Sequence, residues 1–180
     1  MLLKIYGIAV LLLLAFTLPP PSAAYSAQTQ ESQLKAVFVL NFAKLTEWPN
    51  DLHADGATFT IAIIGKEPSA AFTNMLKGKT VHGARVNVRH IEDVAEANGA
   101  NLVYINASER HRLTGILREL NKQDILTVSD IAGFCETGGM IGLVPVQSRL
   151  GFEVNLVSVR KTRLTVGSQL LKLAKTVIGK

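Results

Sequence analysis

Apolar and polar positions follow two different periods along this chain. Short apolar runs that are rich in Val and Ile occupy residues 59–65, 101–106 and 125–128, and residues 85–91 alternate strictly between apolar and polar. Such runs are typical of strands. Segments with an apolar residue every three or four positions lie before, between and after them, as in amphipathic helices. The predicted helices cover residues 31–48, 68–76, 92–98, 108–120 and 168–178.

The C-terminal third departs from this alternation of strands and helices. Residues 140–146 and 149–156 are two adjacent strand patterns joined by a short turn, which predicts a β-hairpin. The last predicted helix, 168–178, follows them. We therefore expect a single α/β domain with a central mixed, mainly parallel sheet flanked by helices, followed by a C-terminal hairpin and helix. The hairpin should add antiparallel strands at one edge of this sheet.

The first predicted helix carries one stripe of residues at spacings of three and four. Its members are Leu34, Phe38, Asn41, Leu45 and Trp48. We expect this face to pack on the core, and a buried Asn41 amide would then have to hydrogen-bond to a neighbouring loop. Trp48 beside Glu47 fits either core packing, which its place in the stripe favours, or an exposed recognition aromatic. Asn41, Glu47 and Trp48 are therefore candidate partner contacts.

The N-terminus concentrates apolar residues, with seventeen in the first 24 positions. Lys4 precedes a predominantly apolar run of fourteen residues, Ile5 to Leu18, and three prolines and the small residues Ser22-Ala23-Ala24 follow it. As a helix this run would reach about 21 Å, short of the ~30 Å hydrocarbon core. The pattern predicts a signal peptide over residues 1–24, cleaved near Ala24, with residues 25–180 as the mature domain. An uncleaved anchor is the alternative.

The overall charge is mildly basic. The chain carries +5, and removal of Lys4 with the signal peptide leaves +4. No cluster of Lys and Arg with interleaved aromatic residues occurs, so we expect no nucleic acid partner.

The sequence offers no constellation typical of catalysis. Cys135 is the only cysteine, and a buried inert thiol is a better interpretation than an intermolecular bridge or a reactive thiol. The four histidines show no metal-ligand spacing, and the phosphate, dinucleotide and nucleophile-elbow motifs are missing. We therefore expect no enzyme activity, no metal and no cofactor.

Polar residues follow the predicted parallel strands where each strand ends. They are Lys66, Asn106, Ser129 and Asp130. The carboxyl ends of parallel strands meet at one edge of a sheet, where ligands bind in open α/β folds. These residues are therefore candidate ligand contacts, in loops 65–68, 106–109 and 129–131. Ser, Asn and Asp also occur at such turns simply as helix caps, and capping is the stronger alternative.

Several segments together resemble the YfiR-like periplasmic proteins. They read KAVFVLNFAKLTEWP (35–49), LTVSD (126–130), FCETGGMIGL (134–143), RLGFEVNL (149–156) and LLKLAK (170–175). The resemblance spans nearly the whole predicted mature chain and implies an α/β fold.

The same resemblance implies a function and partners. It implies a non-catalytic homodimeric regulator that binds the periplasmic sensor domain of an inner-membrane diguanylate cyclase and holds the cyclase inactive. This keeps cyclic-di-GMP and biofilm formation low until an outer-membrane lipoprotein sequesters the regulator or redox stress alters it. Some chains that carry the family name work with a histidine kinase, so a small-molecule-binding sensor that acts with a kinase or another membrane receptor is the alternative.

The cysteines depart from the family form. The family carries a second cysteine where Gly142 stands here, and its other cysteine pair has no counterpart in this chain. The intramolecular disulfides of the family form therefore cannot form in this protein, and we expect no redox control through them.

Overall fold

The β-branched apolar runs form the strands of one large sheet. The structure is a computed structural model that describes residues 21–49, 56–66, 70–121, 123–147 and 149–180, with side chains from residue 27 onward. The strands are β1 (Thr46–Glu47), β2 (Thr58–Ile64), β3 (Thr80–Val81), β4 (Ala84–Ile91), β5 (Leu102–Ile105), β6 (Leu126–Ser129), β7 (Ile141–Val146), β8 (Arg149–Asn155), β9 (Thr165–Val166) and β10 (Thr176–Ile178).

Helices connect and cover these strands. They are α1 (Pro21–Lys44), α2 (Ala70–Leu76), α3 (Leu113–Leu120), α4 (Leu156–Val159) and α5 (Ser168–Leu173), with 3-10 turns at Val94–Ala97 and Ala107–Glu109. The predicted signal peptide lies largely outside the described residues and stays a prediction.

Eight strands form the main sheet, in the order β10-β8-β7-β6-β5-β2-β4-β3. Five of the seven pairings among them are parallel, and only β3 with β4 and β7 with β8 run antiparallel. Strands β1 and β9 form a separate two-stranded antiparallel sheet. The predicted single α/β domain with a mixed, mainly parallel sheet and a C-terminal hairpin is therefore confirmed.

Both faces of the sheet are buried. One face packs against α1 and α2 through Phe42, Phe59 and Phe72. The other packs against α3, whose predicted apolar stripe is buried as expected: Leu113, Ile116, Leu117 and Leu120. All four residues of β5 are buried, as the continuous apolar run in the sequence predicts for a strand covered on both sides.

The sequence prediction of the buried face of α1 is only partly right: Phe38, Leu45 and Trp48 pack against the core, but Leu34 and Asn41 are exposed. The buried residues of this helix include Ala36, Val39 and Ala43, whereas Leu34 and Val37 remain 44% and 37% exposed. Residues 36–43 are apolar on every side of the helix except at Asn41, so their spacing alone does not select a face. The small side chains of Ala36 and Ala43 allow the helix to approach the core closely.

The C-terminal elements also differ from the prediction. The predicted helix 168–178 ends at Leu173, and Thr176–Ile178 forms β10, which pairs in parallel with β8. The hairpin is therefore not at the edge of the sheet, and its strand β7 joins β6 in parallel. The three residues of β10 are consecutive and β-branched, which favours a strand, and pairing with the free edge of β8 outweighs the helical spacing.

Two valines on α1 test which face is buried. Val39 is fully buried and Val37 is 37% exposed, so the same substitution samples both faces. We expect Val39→Ala to lower the free energy of unfolding by about 2 kcal/mol, because it removes two methyl groups and leaves a cavity. Val37→Ala should change it by less than about 0.5 kcal/mol. Chemical denaturation measures both, and a larger loss for Val37→Ala would place the buried face on the other side.

Candidate functional site

The predicted ligand loops come together at one edge of the sheet. The backbone N–H of Lys66 donates to Ser108 Oγ at 3.0 Å, and that of Asn106 donates to the carbonyl of Ile64 at 3.1 Å. Ser129 Oγ donates to the carbonyl of Ile105 at 2.6 Å. The ends of β2, β5 and β6 are therefore joined by hydrogen bonds, as their parallel pairing requires.

Most of the polar side chains at this edge satisfy local backbone groups. The Asn106 side chain accepts the N–H of Ser108 at 2.9 Å, and Ser129 Oγ accepts the N–H of Ile131 at 3.0 Å. Ser129 is fully buried, and Lys66 is exposed. These contacts favour capping over ligand binding for Asn106 and Ser129.

A buried carboxylate that the sequence analysis missed lies beside these loops. Glu109 is 7% exposed, and its Oε2 accepts a hydrogen bond from Arg112 Nε at 2.7 Å. A Cβ placed on Gly65 would lie 2.6 Å from Glu109 Cγ, and Gly65 has a φ of +93°. The glycine that ends β2 is therefore required both by its backbone conformation and by this close approach. In the sequence, only Gly65 at the end of the predicted strand indicates that another group approaches the backbone closely there.

Asp130, unlike Asn106 and Ser129, forms an ion pair. Its Oδ2 lies 2.7 Å from Lys35 Nζ, and the same nitrogen lies 2.7 Å from Glu31 Oε1. The side chains of Lys35 and Asp130 are only 17% and 16% exposed. Burial lowers the pKa of Lys35, but the hydrogen bonds and charges of Asp130 and Glu31 outweigh it and leave this pKa above its ordinary value. The ion pair therefore persists at neutral pH and ties α1 to the end of β6.

Tyr104 lies beneath this ion pair. It is fully buried, and its ring packs against Phe72 with a centroid distance of 4.9 Å. Burial, reinforced by the charge of Asp130, raises the pKa of Tyr104 well above its ordinary value. The phenol therefore stays neutral at physiological pH.

A cavity of about 570 Å³ opens beside Asp130, between α1 and the β7–β8 hairpin. Apolar side chains line part of it, together with both acidic and basic groups: Leu34, Leu143, Pro145, Leu150, Glu31, Lys35, Asp130 and Arg149. Its volume falls within the range of small-molecule sites, roughly 300–1,000 Å³. Of the predicted site residues, only Asp130 lines it.

The three candidate partner contacts at the end of α1 have separate environments. Asn41 is exposed, so the expected buried amide is wrong, because the most buried side of α1 is the one that carries Ala36, Val39 and Ala43. Glu47 is exposed on β1, where it pairs with Thr165 of β9. Trp48 Nε1 donates to the carbonyl of Ala43 at 3.0 Å, and its ring lies 4.9 Å from that of Phe59. Core packing, the favoured interpretation of Trp48, is confirmed.

Cys135 is a buried free thiol, as the sequence analysis favoured. Its Sγ contacts the carbonyl of Glu153 at 3.5 Å. Burial raises the pKa of Cys135 to about 12, so the reactive thiolate is scarce at neutral pH.

Metal binding and membrane crossing are two further properties of the described ranges. Within these residues no group of three or more His, Cys, Asp or Glu is placed to hold a metal ion. No helix in the same ranges has the length and apolar character needed to cross a membrane.

These elements define an α/β protein, with helices on both faces of the sheet and a C-terminal hairpin flanked by β10. The chain matches the YfiR/HmsC-like family over residues 32–175, and it belongs to that family. The resemblance found in the sequence is thereby confirmed. The family is one of periplasmic regulators associated with signal transduction and cyclic-di-GMP control, with membrane-associated partners.

The position of Gly142 predicts that a disulfide can be built into this chain. A Cβ at residue 142 would lie 3.3 Å from Cys135 Sγ, close to the ~3 Å that disulfide geometry requires. We expect Gly142→Cys to form this bridge and to stabilise the oxidised protein by about 2–3 kcal/mol relative to its reduced form. Thiol titration and thermal unfolding with and without reductant measure both effects.

The matched control is Gly142→Ser, which crowds the same site without a thiol. Its stability should not respond to reductant. Two free thiols in the oxidised Gly142→Cys protein would contradict the geometry.

Proposed function

We propose that this protein is a periplasmic regulator without catalytic activity of its own. It is exported by a signal peptide cleaved near Ala24, and it binds the periplasmic sensor domain of an inner-membrane diguanylate cyclase. Binding holds the cyclase inactive and keeps cyclic-di-GMP and biofilm formation low. The observation that carries this proposal is the family match over residues 32–175.

The outward side of α1 supports a role in protein binding. Leu34 and Val37 are 44% and 37% exposed, and Asn41 lies exposed one turn further along the helix. We call these three residues the α1 outer face. Large apolar side chains exposed together on one helix are typical of an interaction surface, because association removes them from water. We assign the contact with the cyclase to this face.

The environments of the polar candidates support a regulator rather than an enzyme. Asn106 and Ser129 bond to backbone groups, and Cys135 is a buried thiol with a raised pKa. A nucleophile needs the opposite, an accessible group activated by a neighbouring base or cation. The proposal therefore includes no reaction and no cofactor.

The proposal also covers how the cyclase is released and the oligomeric state of the regulator. An outer-membrane lipoprotein sequesters the regulator and frees the cyclase, and the regulator acts as a homodimer. Redox control through an intramolecular disulfide has no place here, because Cys135 is the only cysteine in the chain.

A genetic experiment tests the repressor role and its surface together. Deleting the gene in a strain that expresses the cyclase should raise cyclic-di-GMP several-fold, and the wild-type gene should restore the low level. We expect a Leu34→Asp, Val37→Asp double variant to fail in this restoration, because two carboxylates would be buried without partners on binding. Cyclic-di-GMP is measured by mass spectrometry, and the amount of exported protein by immunoblot.

The control variant is Arg118→Asp, which changes the charge of an exposed residue on α3, on the opposite side of the sheet from α1. It should restore repression fully. Unchanged cyclic-di-GMP after deletion would reject the repressor role, whereas full repression by the double variant would reject only the α1 outer face.

The cavity beside Asp130 favours a second candidate function, a periplasmic small-molecule sensor that acts with a histidine kinase or another membrane receptor. Its volume of about 570 Å³ and its apolar wall with nearby charges suit a small polar ligand. Asp130 and Lys35 would orient the ligand, since they are its most buried charged pair.

Thermal unfolding against a panel of metabolites tests this candidate. A ligand of the cavity should raise the melting temperature of the wild type, since it binds only the folded chain. Asp130→Asn should remove this rise, whereas Lys66→Ala, which alters an exposed residue outside the cavity lining, should keep it. A panel without any shift, or a shift that Asp130→Asn leaves intact, would contradict a ligand site here.

A further inference from the structure

Charge is distributed unevenly along this chain. Residues 149–180 contain seven Lys or Arg and a single acidic residue, Glu153. Residues 1–148 contain twelve Lys or Arg and thirteen Asp or Glu, which nearly cancel. The net positive charge of the protein therefore comes from its last 32 residues.

The fold gathers these residues around one edge of the main sheet. Strand β10 is the outermost strand at this edge. Lys175, just before β10, donates its backbone N–H to the carbonyl of Phe152 at 2.8 Å. Just after β10, the Gly179 carbonyl accepts a hydrogen bond from Arg160 Nη1 at 2.8 Å. A Cβ at Gly179 would lie 2.5 Å from Val157 Cγ2, so α4 flanks the end of the strand.

Exposed apolar side chains accompany the charges. Leu173, at the end of α5, is 66% exposed, and Val157 is 47% exposed. We call these two residues, together with β10 and the surrounding basic side chains, the C-terminal edge. Its exposed basic members are Arg149, Arg160, Lys161, Lys172, Lys175 and Lys180.

Among the residues that the structure describes, few ion pairs neutralise this charge. Lys175 Nζ lies 3.8 Å from Glu153 Oε1, at the outer limit of an ion pair. Within the ranges that the structure describes, no ion pair engages Lys161, Lys172 or Lys180. Arg163 of the same segment does pair, with Asp124, and we leave it out of the C-terminal edge.

A cavity of about 570 Å³ lies within this edge, between β8 and the end of α5. Its lining includes the basic side chains of Arg149 and Lys175 and the apolar side chains of Val146, Leu150 and Leu173. Two cations beside an apolar wall match the two parts of a phospholipid, a phosphate group and an adjoining hydrocarbon chain.

We propose that the C-terminal edge docks the protein on the anionic phospholipid surface of a membrane. Lys and Arg attract the headgroups, and each one close to such a surface adds to the affinity. Leu173 and Val157 enter the interface beside them, as apolar side chains do in peripheral membrane proteins. This role goes beyond binding of the cyclase and does not depend on which membrane protein is the partner.

Two other occupants fit the same edge less well. A second copy of the chain would bring like charges together, which opposes association. An acidic protein segment paired with β10 would gain few backbone hydrogen bonds from a strand of three residues. The cations, in contrast, lie before β10, after it, just beyond the end of α4 and on α5, so an extended anionic surface can engage more of them at once.

Vesicle co-sedimentation with the purified full-length mature protein tests this proposal. We expect binding to vesicles of phosphatidylglycerol and phosphatidylethanolamine, little binding to phosphatidylcholine, and marked weakening as salt rises, because screening acts on exposed charges. A Lys161→Glu, Lys172→Glu, Lys180→Glu variant should lose at least tenfold in affinity. Leu173→Ser should weaken the binding that remains at high salt.

The matched control reverses three other exposed lysines, Lys44→Glu, Lys77→Glu and Lys79→Glu, which lie outside the C-terminal edge. This control has the same net charge as the triple variant and should keep most of the affinity. Circular dichroism verifies that all variants are folded.

Three results would overturn the proposal. They are equal binding to phosphatidylcholine, equal losses in the two triple variants, and binding of a polyglutamate peptide in place of vesicles, which would indicate an acidic protein partner. The assay contains no cyclase, so its failure would leave the proposed repressor role untouched. A failure of the cyclic-di-GMP experiment would equally leave membrane docking intact.

Discussion

Burial of both faces of one mainly parallel sheet is the constraint on which the rest of this structure depends. The central strands are apolar along their whole length, as in β5, so neither face can be left in water. Helix α3 covers one face, and α1 with α2 covers the other. Parallel pairing also brings the ends of β2, β5 and β6 to one edge. The hydrogen-bonded turns there, and the contact between Gly65 and Glu109, follow from that arrangement.

Helix α1 connects this core to the proposed function. Its inner side packs on the sheet through residues such as Val39, and its Lys35 reaches Asp130 at the end of β6. A displacement of α1 would therefore break a partly buried ion pair as well as apolar packing, which is costly. The α1 outer face is thus carried on a helix held rigidly in place, and a rigid surface loses little conformational entropy when a partner binds.

The α1 outer face and the C-terminal edge differ in chemistry, and this separation suits a regulator that works beside a membrane. The α1 outer face is apolar with one amide, which favours a protein partner. The C-terminal edge combines exposed Leu173 and Val157 with exposed lysines, which favours an anionic surface. Held at the membrane, the regulator would search for its partner in two dimensions, and its local concentration near that partner would rise.

The sequence by itself determined the parts of this protein in which the local pattern has one solution. Short apolar β-branched runs bounded by turn residues are typical of buried strands, and the stripe Leu113–Leu120 has a single apolar face, so the sheet and α3 were predictable. Family membership was equally readable from motifs spread along the chain. The turn residues Asn106 and Ser129 were also correctly weighed as caps, because Asn and Ser bond to nearby backbone groups wherever a strand gives way to a turn. Only the tertiary structure decided the buried face of α1, since a helix that is apolar nearly all round is oriented by what it packs against. It likewise decided that Thr176–Ile178 forms a strand, because the free edge of β8 supplies hydrogen bonds that no local pattern reveals. The Lys35–Asp130 pair joins residues 95 positions apart, and such contacts exist only once the chain has folded.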